Sequence, residues 1–149
     1  MNTTTAINAY TKIGIESGVN AADPHKLISM LFQGALLAIA NAKNGILRKD
    51  IAAKGAAISK ALAIIDEGLN ASLDKNVGGE LAQNLSSLYE YMIMRLITAN
   101  LKNDVDALNE VTHLLTDLKG AWESIRQPAA VQAIQPMPVA KAQLTYGTI

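Results

Sequence analysis

The stretch GGELAQNLSSLYEYMIMRLITAN, residues 78–100, decides the fold. Leu81, Leu85, Leu88, Met92, Leu96 and Ala99 recur at steps of three and four, the spacing of one face of an α-helix. Ile93, Met94, Ile97 and, just beyond the stretch, Leu101 do not fit that stripe. On a wheel of about 100° per residue they widen the apolar arc to about 180° or more. A bundle helix needs only the narrower stripe, so this one carries apolar surface beyond what a core would use.

Working outward, three more helical segments appear. Asp23-Pro24 opens the first, with Asp as N-cap and Pro at the first helical position, where a missing N–H costs nothing. Gly45 reads as its stop. The second follows Asp50 and carries Ile51, Ile58, Leu62, Ile65, Leu69 and Leu73 on one face. LDKNVGG, residues 73–79, then breaks the pattern. The fourth follows Asp104, an N-cap by type, and places Leu108, Val111, Leu115, Leu118, Trp122 and Ile125 on one face. Asp106, Asn109, Glu110, His113, Asp117 and Lys119 occupy the other. Pro128 blocks continuation. Long helices on short loops predict an all-α, antiparallel up-down four-helix bundle over residues 23–126. An N-terminal arm (1–22) and a flexible proline-containing tail (127–149) flank it. In the arm, Ile7, Tyr10 and Ile13 recur at helical spacing and are expected to pack on the bundle as a removable lid.

Two further helices carry apolar excess. The second has a separate small-residue face at Ala53, Ala57, Ala61, Ile64, Gly68 and Ala71, which permits close approach of another backbone. The first is apolar nearly all round, with Met30, Leu31, Phe32, Leu36, Leu37 and Ile39 pointing in several directions. A bundle of this size cannot hide all of it. Either another part of the chain or a second copy covers the excess, as in a homodimer, or it receives a partner helix.

Composition narrows the function. The chain has 149 residues, with 13 basic and 13 acidic side chains and no net charge. Phosphate neutralisation therefore supplies no drive toward nucleic acid. No cysteine is present, which excludes disulfides, thiolate metal sites and thiol catalysis. MNTTTAINAYTKIG lacks the apolar run of a signal peptide. LISMLFQGALLAIANA, the most apolar run, is shorter than the roughly 20 residues a membrane span needs. A soluble, cytoplasmic and monomeric protein is expected, with no membrane insertion.

Chemical motifs are weak. Glu110-Val111-Thr112-His113 has the Glu-x-x-His spacing of di-iron bundles. The first helix, however, has no carboxylate, and the residue three before His25 is Ala22. His113 ahead of Lys119-Gly120 has the wrong spacing for a histidine-phosphotransfer helix. Gly78-Gly79 lacks a phosphate-loop lysine, and Glu80 opposes an anion there. No nucleophile with a nearby base can be assembled. No catalytic residue, no metal site and no cofactor are expected.

The residues do resemble one family, the flagellar secretion chaperones of flagellin (FliS). The likeness lies in GGELAQNLSSLYEYMIMRLITANLKND and LNEVTHLLTDLKGAWESI. It extends to AYTKI, DPHKLISMLFQGA and AKGAAISKALAIIDEGLNASLD, and runs from about Ala9 to Ile125 in order. Asn2, Leu31-Phe32-Gln33-Gly34 and Met94 depart from the family pattern, which usually has a basic residue at the last position. The resemblance implies a cytosolic bundle that binds the disordered C-terminal segment of flagellin. Capture prevents premature polymerisation, and the complex is brought to the flagellar type III export gate. The expected client groove combines Ile93, Met94, Ile97 and Leu101 with Ala53, Ala57, Ile64 and Gly68. The alternative is a structural bundle that homodimerises through the same surplus.

Overall fold

The computed structural model describes residues 23–125, and the expected arm and tail, with Ile7, Tyr10 and Ile13, lie outside the described residues. Among the described residues four helices form, each begun by an aspartate in extended conformation. Helix α1 spans Pro24–Leu47, and the Asp23 carboxylate accepts from Lys26 N at 3.1 Å. Helix α2 spans Ile51–Ala63 behind Asp50, which accepts from Ala53 N at 3.0 Å. Helix α3 spans Lys75–Lys102, where Asp74 accepts from Asn76 N at 3.0 Å and Val77 N at 3.1 Å. Helix α4 spans Val105–Ser124, and Asp104 accepts from Ala107 N at 3.1 Å. Each cap satisfies amide groups with no intrahelical partner and stabilises its helix by about 1 kcal/mol.

The helices run up and down. Helix α1 packs on α2 and α4, and α3 closes the ring against α2 and α4. At one end His25 of α1 meets Trp122 of α4. At the other, Lys54 near the start of α2 reaches the end of α3, where its Nζ donates to Asn100 O at 2.9 Å and to Asn103 Oδ1 at 2.7 Å. These acceptors, at the negative end of the α3 dipole, offset the cost of burying an ammonium group. The axis of the bundle is filled by Leu31, Ala35, Ile65, Tyr89, Met92, Leu96, Leu108 and Leu115, all buried. The expected all-α up-down bundle is the observed fold.

Several local expectations need correction. Gly45 does not stop α1, which continues to Leu47. Lys49 makes the turn with φ 58, and Asp50 N then donates to Gly45 O at 2.8 Å. Gly45 is instead the point where two helices touch: a Cβ there would lie 2.8 Å from Lys54 N and 3.0 Å from Lys54 Cα.

The second helix does not continue as α. From Ile64 to Asn70 it widens into a π-helical segment, with Ala71 N donating to Asp66 O at 3.1 Å. The wider turn puts Ile64, Ile65, Gly68 and Leu69 all inside.

Nor does α3 begin at Gly78. It starts at Lys75 and breaks at Gly79, whose φ of 56 and ψ of −131 suit only a residue without a side chain. Its buried stripe is Ala82, Ser86, Tyr89, Met92, Leu96 and Ala99. Leu81 is exposed, while Leu85 and Leu88 pack against the core from its edge. The two stripes lie on adjacent arcs of the wheel. Small Ala82 and Ser86 face the axis at the start of α3, while Tyr89 and Met92 fill it further on.

Candidate docking groove

The apolar excess on α3 is real. Met94 is 64% exposed, Ile97 43% and Leu101 78%, and Ile93 is half-buried beside them. From Ile93, which faces the second helix, the apolar side chains at Ile97 and Leu101 climb one turn at a time and rotate toward the outer face of α3. Across from Ile93 stand Ser59, Leu62, Ala63, Asp66 and Glu67, enclosing an open cleft of about 390 Å³. The helices are antiparallel, so Gly55 and Ile51 continue the α2 side toward Leu101. A Cβ at Gly55 would meet nothing within 4 Å, and Ile51 is 74% exposed. The result is an open cleft at Ile93, with Asp66 and Glu67 on its wall and exposed Ile97, Leu101 and Ile51 beyond it.

The other expected groove residues are elsewhere. Ile64 and Gly68 are buried against α1: Ile64 Cδ1 would lie 3.3 Å from a Cβ on Gly34, and Leu31 Cδ2 3.0 Å from a Cβ on Gly68. Ala53 and Ala57 are half-buried and line a second cleft of about 710 Å³ between α1 and α2, walled by Asn41, Asn44, Arg48 and Lys60. The expected site is thus divided. Ile93 stands beside one side of α2 with Met94, Ile97 and Leu101 exposed near it on α3, Ala53 and Ala57 line the other side, and Ile64 and Gly68 belong to the core between. Sequence reasoning missed Ser59, Ala63, Asp66 and Glu67, and it placed Leu62 in the core stripe. The available signal was their position on the α2 wheel, on the flank opposite Ala53 and Ala57.

Polar contacts between helices lie at the seams. On the α3–α4 seam, Tyr91 Oη donates to Glu110 Oε2 at 2.6 Å and Arg95 Nε to Glu110 Oε1 at 2.6 Å. Glu110 is therefore held rather than freely solvated. The bonds from Tyr91 and then Arg95 favour its ionised form and lower its pKa below the ordinary carboxylate range, and Glu110 in turn raises the Tyr91 phenol. A carboxyl whose pKa falls on folding adds stability above its unfolded-state pKa and loses it as pH drops through the folded value. Acidification below about pH 4 should weaken the native chain, and Glu110→Gln should flatten that dependence. Urea midpoints at pH 7 and pH 3 check this; parallel curves for the two chains would remove the role of Glu110. His113 pairs with Asp117 at 3.4 Å on the surface. Among the described residues no three His, Cys, Asp or Glu side chains gather as a metal site would require. No helix among them is long and apolar enough to cross a membrane.

Fold and surface define an all-helical bundle with exposed apolar side chains beside an open cleft. Residues 6–129 match the family model described as "Flagellar protein FliS", and the chain belongs to that family. It is 49% identical over 132 residues to the flagellar secretion chaperone FliS of Salmonella typhimurium, covering 89% of this chain and 98% of the relative. It is 47% identical over 120 residues to the flagellar secretion chaperone FliSB of Pseudomonas aeruginosa, covering 80% and 94%. To the flagellar secretion chaperone FliS of Bacillus subtilis it is 38% identical over 120 residues, covering 80% and 87%.

Proposed function

We propose that the chain is a cytoplasmic export chaperone for flagellin. It binds the disordered C-terminal segment of flagellin, keeps the subunit from polymerising early, and assists delivery to the flagellar type III export gate. The observation that carries this is the row Ile93, Met94, Ile97 and Leu101 beside an open cleft on a bundle whose core is already full. The names of the relatives support a secretion client.

The physics is coupled folding and binding. A disordered segment must offset the entropy of its own ordering, and burial of apolar side chains along a preformed channel is the available gain. An amphipathic helix laid between α2 and α3 would cover Ile97 and Leu101 and meet Leu62 and Ile93 at the floor. Ala53 and Ala57, on the other flank of α2, offer a second shallow surface for a client that wraps that helix. Ile64 and Gly68 contribute from beneath, by fixing α2 against α1.

Calorimetry with intact flagellin and with flagellin lacking its C-terminal segment tests this. Binding is expected for the first and none for the second, with the free chaperone monomeric at micromolar concentration. Equal affinities would overturn the assignment of the segment. A concentration-dependent dimer that hides Ile97 and Leu101 would favour the homodimeric bundle instead.

A further inference from the structure

We infer that a cleft between the start of α1 and the end of α4 is the docking site for the chain's own tail, residues 127–140. This is independent of the client channel, which lies across the bundle between α2 and α3.

The cleft has a volume of about 660 Å³. His25 on its wall is held by a reciprocal clamp to Trp122. Trp122 Nε1 donates to His25 O at 2.9 Å, His25 Nε2 donates to Trp122 O at 2.9 Å, and the two rings stack with centroids 4.7 Å apart. Met30 offers the apolar contact, and Ser29 and Gln33 offer uncharged hydrogen-bonding groups. The charges around it cancel: Asp23 and Glu123 stand with Lys26 and Lys119, and Lys119 Nζ pairs with Glu123 Oε2 at 3.1 Å. Such walls attract neither an acidic nor a basic partner and suit an uncharged segment.

The last described residues before that segment stand beside the cleft wall. Helix α4 ends at Ser124, and Ile125 leaves it in extended conformation, φ −97 and ψ 122, two residues beyond Glu123 on the cleft wall. Residues 127–140, QPAAVQAIQPMPVA, carry no charge. Val131 and Ile134 can meet Met30, and Gln127, Gln132 and Gln135 can pair with Ser29 and Gln33. The six residues from Ile125 to Val131 reach up to roughly 20 Å when extended. Met30 stands seven residues into α1 from Asp23, or about 10 Å along its axis. Pro128, Pro136 and Pro138 restrict the free chain and lower the entropy lost on docking. Tethering adds an effective concentration of roughly millimolar, so weak contacts suffice. The match to the family model ends at residue 129, so most of this segment lies beyond the part shared with the family.

The chain has no cysteine, so a single one can carry a spin label. In full-length ¹⁵N-labelled protein with the label at Ala133→Cys, amides of residues 26–33 and 119–123 should broaden several-fold more than those of residues 75–81. The latter lie at the same end of the bundle and display exposed Val77 and Leu81, which makes them a fair competitor. Met30→Glu should abolish the difference. If that variant misfolds, Gln33→Trp, at an exposed position on the cleft wall, should displace the tail instead. Uniform broadening, stronger broadening at 75–81, or no response to the cleft variant would overturn the inference. So would broadening transferred to unlabelled partners in a mixed sample, which would make the occupant a second copy.

Discussion

A Gly45→Ala chain is expected to lose about 1–3 kcal/mol of stability, although alanine is the better helix former. The added methyl would sit 2.8 Å from a backbone nitrogen of α2, and no rotamer change can clear a backbone. Either α1 and α2 separate or the turn through Lys49 and Asp50 distorts. Gly55→Ala is the matched control. It is also inside a helix, but its Cβ meets nothing within 4 Å, so it should gain up to about 1 kcal/mol from propensity alone. Urea unfolding followed by the emission of Trp122, the only tryptophan, measures both. Similar midpoints for the two chains would show that the α1–α2 approach is not tight. Because Lys54 is both the residue struck and the residue that binds the end of α3, the damage should spread to the α2–α3 wall of the proposed client site.

The largest functional effect is expected from Ile97→Glu combined with Leu101→Glu. Both side chains are exposed in the free bundle, at 43% and 78%, so stability should change by less than about 0.5 kcal/mol each. In the proposed complex both become buried, and each apolar side chain fully removed from water is worth about 1.5–3 kcal/mol. Replacement by carboxylates should therefore weaken flagellin binding on the order of a hundredfold or more. Calorimetry gives the affinity and far-UV dichroism the fold. Unchanged binding with intact helicity would move the client elsewhere. Ala57→Trp then separates two versions of the site, since it fills the α1–α2 cleft and leaves the channel alone. Weaker binding in that variant means the client also uses the second flank of α2.

Legibility differed from element to element for physical reasons. The four N-caps are local chemistry: an aspartate bonding amides two or three residues on needs no distant partner, so Asp23 and Asp104 could be recognised by eye, and Asp50 marked where the second helix begins. Asp74 was hidden because LDKNVGG looks like a loop. Its helix starts there, and only the positive φ at Gly79 shows how a helix can carry that sequence. Surplus apolar surface on α3 was also visible, since periodicity measures the width of an arc. Which arc faces the axis was not. Leu81 fitted the stripe and is 53% exposed, while Ala82 and Ser86 are buried.

What the sequence determined alone was four helical segments with the caps at Asp23 and Asp104, the up-down bundle, the absence of thiol chemistry and an apolar excess on α3, together with the motifs that resemble the FliS family. The tertiary structure decided which residues share a surface. Ala53 and Ile93 both looked available, yet α2 stands between them, and Ile64 and Gly68 are used against Leu31 and Gly34. Helical periodicity fixes angles around one axis, whereas a groove is a relation between two axes. Only packing, through contacts such as Gly45 on Lys54, sets how the second is placed against the first.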